Sequence, residues 1–116
     1  MKIRHAGDVL LVHSDEPLIW DGQSALDFIA NIYYEHGCSA AALNKEAVCE
    51  NFFRLSSGLA GEVAHKFVNY QFRLALIGDF SIYPSKALQD YMRESNQGSH
   101  LYFCGNEKEA LRRLEG

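Results

Sequence analysis

A nearly all-apolar run, Phe72–Ile77, lies between an amphipathic segment and the turn Gly78-Asp79. It reads as a central strand covered on both faces. On its N-terminal side Leu59, Ala60, Val63, Ala64 and Phe67 recur at helical spacing, with Ser57 as the expected N-cap. On its C-terminal side Ser85–Glu94 forms a further helix through Ala87, Leu88, Tyr91 and Met92. The stretch from Ser56 to Gly98 is therefore helix, strand, turn, helix. In an open α/β sheet, crevices form outside the carboxyl ends of the strands. Ser56, Ser57, Gly58, Gly78, Asp79 and Ser81 fall where these elements start and stop, so they are the first candidates for a site.

The remaining chain extends the alternation. Lys2–His5 and Val9–His13 flank Ala6-Gly7-Asp8 as a hairpin. Pro17–Trp20 adds a short extended piece. Asp21 reads as an N-cap for a helix over Gln23–His36, whose stripe is Ala25, Phe28, Ile29, Ile32 and Tyr33, with Gly37 as the stop. Ser39–Leu43 reads as a buried strand ending at Asn44. Glu46–Leu55 is ambiguous, with Val48, Phe52, Phe53 and Leu55 suited to a helical turn on the core. Leu101–Cys104 is a last strand and Glu107–Leu114 a last helix. Alternation after residue 37 implies right-handed crossovers and a mostly parallel sheet, with the hairpin adding antiparallel pairing. The expectation is one α/β domain over residues 1–116, with helices packed on a mixed sheet.

Bulk properties narrow the function classes. A chain of 116 residues can bury about two-thirds of its unfolded surface, so it needs no disulfide or metal to fold. Net charge is −4 and no lysine- or arginine-rich run occurs, which argues against a nucleic-acid surface. The first apolar run is broken by His13 and followed by acids, unlike a signal peptide. No window approaches the roughly 18 apolar residues of a membrane span. A cytoplasmic protein is expected. Cys38, Cys49 and Cys104 are odd in number and far apart, so reduced, mostly buried thiols are expected and a zinc site is not.

The run GLAGEVAHKFVNYQFRLALIGDFSIYPSKALQDYMRESNQG, with the N-terminal hairpin and the ALDFIANIYYEHG helix, resembles domain-of-unknown-function family 4180. That resemblance implies a compact α/β protein and no assigned reaction. LSSGLAG, a helix, LALIGD, a helix, a strand and EALRRL also look like the STAS domains of anti-sigma-factor antagonists. Those domains carry D-S-[ST]-G-L-G at the start of a helix. By position Ser57 matches the serine phosphorylated there, with Gly58, Leu59 and Gly61 following. Leu55 stands where that family carries aspartate, and Ala60 is an extra residue before Gly61.

Each candidate has a structural and a functional reading. Ser56, Ser57 and Gly58 sit at a helix N-terminus, which favours anions; a phosphate on Ser57 gains there, and an unmodified Ser57 simply caps the helix. Asp79 and Ser81 follow the buried strand; Asp79 could be a small-ligand or metal-polarising carboxylate, or it could cap the turn before Pro84 and Ser85. Glu62 and His65 match half of a di-iron pattern, but no second E-x-x-H occurs. Cys104 and His100 lie about 13 Å apart on one strand, too far for a nucleophile–base pair. Neither a P-loop nor GxGxxG is present.

Two functions follow. The first is a non-enzymatic, STAS-like regulatory module that binds a protein partner, with Ser57 as its switch. The alternative is a small-molecule binder or enzyme using a crevice near Ser14, Asn44, Asp79 and Ser81. No cofactor is expected. Phe52, Phe53, Tyr33, Tyr34 and Tyr70 exceed what the helical stripes need; any left exposed would favour a homodimer.

Overall fold

The computed structural model describes residues 1–115. Five strands, β1 (Lys2–Ala6), β2 (Val9–His13), β3 (Ala40–Asn44), β4 (Arg73–Ile77) and β5 (Leu101–Cys104), form one sheet in sequence order. β1 pairs antiparallel with β2, and the other neighbours are parallel. Four helices accompany them: α1 (Gly22–His36), α2 (Leu59–Asn69), α3 (Lys86–Asn96) and α4 (Glu107–Glu115). The mixed, mostly parallel α/β sheet read from the sequence is the one observed.

Strand order explains the layering. From β2 to β5 each parallel crossover steps in the same direction, and right-handed crossovers then leave every connecting helix on the same face. Accordingly α1, α2 and α3 share a core with Leu10, Leu43, Leu74, Leu76 and Phe103. The opposite face belongs to α4, whose Ala110 and Leu114 pack over Val9, Leu11, Ala40, Ala42, Ala75 and Tyr102. Three alanines on that face let a short helix lie close to the strands.

Local signals fix the ends. Asp21 accepts a hydrogen bond from the Ser24 N–H at 2.7 Å, and the Ser24 hydroxyl accepts from the Asp21 N–H at 3.0 Å. This reciprocal cap starts α1. Gly37 ends it at φ 67°, in the left-handed region where a side chain is strained. Ser85 caps α3 through the Leu88 N–H.

Three readings change. Pro17–Trp20 makes only one isolated bridge, Ile19 with Val48. The ambiguous stretch becomes three short 3-10 turns, Lys45–Ala47, Glu50–Phe53 and Leu55–Ser57, held by burial of Ala47, Phe52 and Phe53. The cap of α2 is Gly58, not Ser57, because the chain takes φ 76° at Gly58 before turning into the helix.

Candidate functional site

The chain enters α2 through the turn Leu55–Ser57, and Ser57 holds that turn closed. Its hydroxyl lies 2.8 Å from the Asn51 carbonyl oxygen and 2.7 Å from that of Arg54, and its oxygen accepts the Leu59 N–H at 3.2 Å. Ser57 is nonetheless exposed, as are Ser56, Gly58 and Arg54. Ser56 faces a groove of about 530 Å³ between this turn and the start of α3, shared with Arg54, Phe53, Tyr83 and Ser85.

Behind the groove, at the carboxyl ends of β3 and β4, lies a charged residue that the sequence reading missed. The Lys45 side chain is only 12% exposed. Its Nζ donates to the Tyr83 hydroxyl at 3.2 Å and lies 3.9 Å from Glu50. It also sits 5.3 Å from the Tyr83 ring centre and 5.8 Å from that of Phe53, rings stacked at 4.8 Å. Burial opposes its charge, but the Tyr83 hydrogen bond and the neighbouring Glu50 and Glu46 outweigh this and raise its pKa above the usual lysine range. Burial also pushes the Tyr83 hydroxyl up, against the lowering effect of Lys45. At neutral pH the pair is a fixed ammonium and a neutral phenol, an arrangement suited to orienting groups.

The four residues of the alternative crevice fall into two closed pairs. Ser14 N–H donates to Asn44 Oδ1 at 2.9 Å, and Asn44 Nδ2 donates back to the Ser14 carbonyl at 2.8 Å. Asp79 accepts both the N–H and the hydroxyl of Ser81, at 3.0 and 2.5 Å. Those bonds, with the hydroxyl leading, hold the Asp79 carboxyl below its usual range. Such a closed Asx turn is the structural role weighed for Asp79.

The profile of a domain of unknown function, DUF4180, matches residues 4–114. The chain belongs to the DUF4180 family. No curated protein matches it. Among solved structures, the NMR structure of the protein TM1081 is similar in fold at 13% identity and a TM-score of 0.51, over 97% of this chain and 86% of that one. This likeness concerns architecture alone.

Other features of this DUF4180 chain have structural explanations. Glu62 accepts the Gly22 N–H at 2.9 Å, so the half di-iron pattern is a bond between helices. Among the described residues no cluster of His, Cys, Asp and Glu could hold a metal ion, and no helix is long and apolar enough to cross a membrane. Cys38 and Cys104 are buried free thiols and Cys49 is half-buried. Phe52 and Phe53 are core residues, whereas Tyr33, Tyr34 and Tyr70 are exposed around a groove of about 390 Å³ beside α1. Lys45 escaped the sequence reading because its partner Tyr83 is 38 residues away; the faint signal was Gly78, where a Cβ would lie 2.8 Å from Lys45 Cβ.

Proposed function

We propose that this chain is a cytoplasmic regulatory module of STAS-like architecture that binds a protein partner and is switched at Ser57. The reading rests on one observation: an exposed hydroxyl holds the turn that starts α2. A phosphate there carries a charge of about −1.5 to −2 and cannot donate to the two carbonyl oxygens it would face. It would be repelled from the backbone carbonyl oxygens of Asn51 and Arg54 and drawn toward the N-terminus of α2. The turn would then open, changing the surface offered to a partner. The exposed tyrosines support weak self-association as well, because aromatic side chains are favoured in interfaces.

The test compares wild type, Ser57→Ala and Ser57→Glu. The glutamate variant is expected to keep its fold, to speed amide exchange from Asn51 to Leu59, and to change the partners captured from native lysate. Identical partner sets for all three proteins would overturn the switch. Sedimentation equilibrium giving a monomer mass throughout the micromolar range would overturn self-association.

A small-molecule binder is the second reading, favoured by the Lys45–Tyr83–Glu50 network beside the 530 Å³ groove. A thermal shift of several degrees with one member of a metabolite panel, lost in Tyr83→Phe, would support it. No shift across the panel would count against it.

A further inference from the structure

β1 is an edge of the sheet, paired only with β2. Its outer side therefore presents a row of backbone N–H and C=O groups to a passing extended chain. Side chains of paired residues share a face. Lys2 and Arg4 lie opposite His13 and Leu11 on the α4 side, while Ile3 and His5 lie opposite Val12 and Leu10 on the α1 side.

Each face beside this edge opens into a cavity, and the two differ in chemistry. The α4-side cavity, about 520 Å³, has Leu11 and Ile77 in its lining with Lys2, Arg4 and His13. Its one acid is Glu107, ion-paired with Arg4; among the described residues Lys2 makes no ion pair. The α1-side cavity, about 330 Å³, has Ile3, Leu18, Trp20, Phe28 and Ile32 in its lining, and its one charged side chain is the acid Asp27. Trp20 is 56% exposed there.

From this pairing of an open edge with two unlike cavities, we propose that β1 receives an extended peptide strand of alternating apolar and acidic residues. Added strands bind through main-chain hydrogen bonds and gain specificity from pockets for alternate side chains. Apolar side chains of the peptide fill the groove under Trp20, and its carboxylates meet Lys2, Arg4 and His13. A second copy of this chain is the poorer occupant. Antiparallel self-pairing centred on Ile3 would set Lys2 of each copy against Arg4 of the other, and like charges across strands repel. This site is independent of the Ser57 switch.

Trp20 is the single tryptophan, so its emission reports on the groove directly. The probe is a blocked eight-residue peptide alternating valine and glutamate. Two controls are a valine–lysine alternation and the valine–glutamate composition in block order. The alternating acidic peptide is expected to shift Trp20 emission to the blue and to slow amide exchange within Lys2–Ala6. Lys2→Glu, at an exposed position, should weaken binding about fivefold or more with no change in unfolding midpoint. Equal binding of either control, no response to the acidic peptide, or a Trp20 shift without protection in β1 would each overturn the proposal. So would protection of β1 that rises with protein concentration alone, since a second copy would then own the edge.

Discussion

Glu62 on α2 accepts the N–H of Gly22, the first residue of α1, at 2.9 Å, so one helix completes the N-terminal cap of the other. A Cβ at position 22 would collide with the Glu62 carboxylate. Hydrogen bonds to charged groups contribute about 1.5–3 kcal/mol. Glu62 is exposed, so Glu62→Ala is expected to cost the low end of that range, about 1.5 kcal/mol, and Gly22→Ala to destabilise by pushing the carboxylate off the Gly22 N–H. The double variant should lose less than the sum, because both changes remove one contact. Urea unfolding of the four proteins measures this coupling.

Gly78 presents a second close approach, to the stem of Lys45 rather than to a flexible tip. Gly78→Ala is expected to cost about 1–3 kcal/mol through overpacking. Lys45→Gly, which removes the Cβ that Gly78→Ala would strike at 2.8 Å, should relieve much of that cost in the double variant. Denaturation midpoints of the two single variants and the double variant check it.

Ser57→Ala removes the acceptor for the Leu59 N–H and the donor to Asn51 and Arg54. A loss of about 1 kcal/mol is expected. Ser56→Ala, exposed beside it, should stay within about 0.5 kcal/mol of wild type. Equal unfolding curves for the two variants would contradict the role given to the Ser57 hydroxyl.

Much of this fold is legible in the sequence, and the failures have physical causes. α1 could be read from Asp21, its apolar stripe and Gly37 because cap, periodicity and stop are all local. β5 is legible at its observed bounds as a short apolar run, Leu101–Cys104, closed by Gly105. Lys45–Ser57 was not legible, since three short turns carry no period and take their shape from burying Phe52 and Phe53. Assigning the cap to Ser57 missed by one residue, because a left-handed Gly58 at the start of a helix leaves no pattern. Counting aromatic residues could not separate the buried phenylalanines from the exposed tyrosines; only packing decides that. The Ser57 turn was visible as a location, while its bonds to Asn51 and Arg54 were not.

Burial pushes the Cys104 thiol up to about 11 from an ordinary 9.0, with Glu109 adding to the effect. A raised thiol pKa means the folded state holds its proton longer than the unfolded chain. The resulting stability is present below about pH 9 and is lost as pH rises toward 11. Cys104→Ser should flatten that alkaline decline in a pH series of unfolding midpoints. In native protein at neutral pH, half-buried Cys49 should react first with a thiol reagent, and Cys38 and Cys104 only on unfolding.

Hydrogen bonds from Ser24 hold the Asp21 carboxyl below its usual value. The sign is opposite to that of Cys104: this contribution is present above about pH 4 and fades as pH falls through the lowered value. Asp21→Asn keeps an N-cap but cannot titrate, so its acid unfolding curve should be less steep than that of wild type.

The placement of α4 bears on the order in which the molecule is made. Every strand leaves the ribosome before α4, the one helix among the described residues that covers Leu11, Ala42 and Tyr102. During synthesis the three-helix side can assemble while the other side of the sheet remains bare, a surface prone to association in nascent chains. A stop codon between Gly105 and Ala110 would therefore yield a chain with all five strands and one open apolar face, a substrate for chaperones or proteases rather than a slightly shorter working protein.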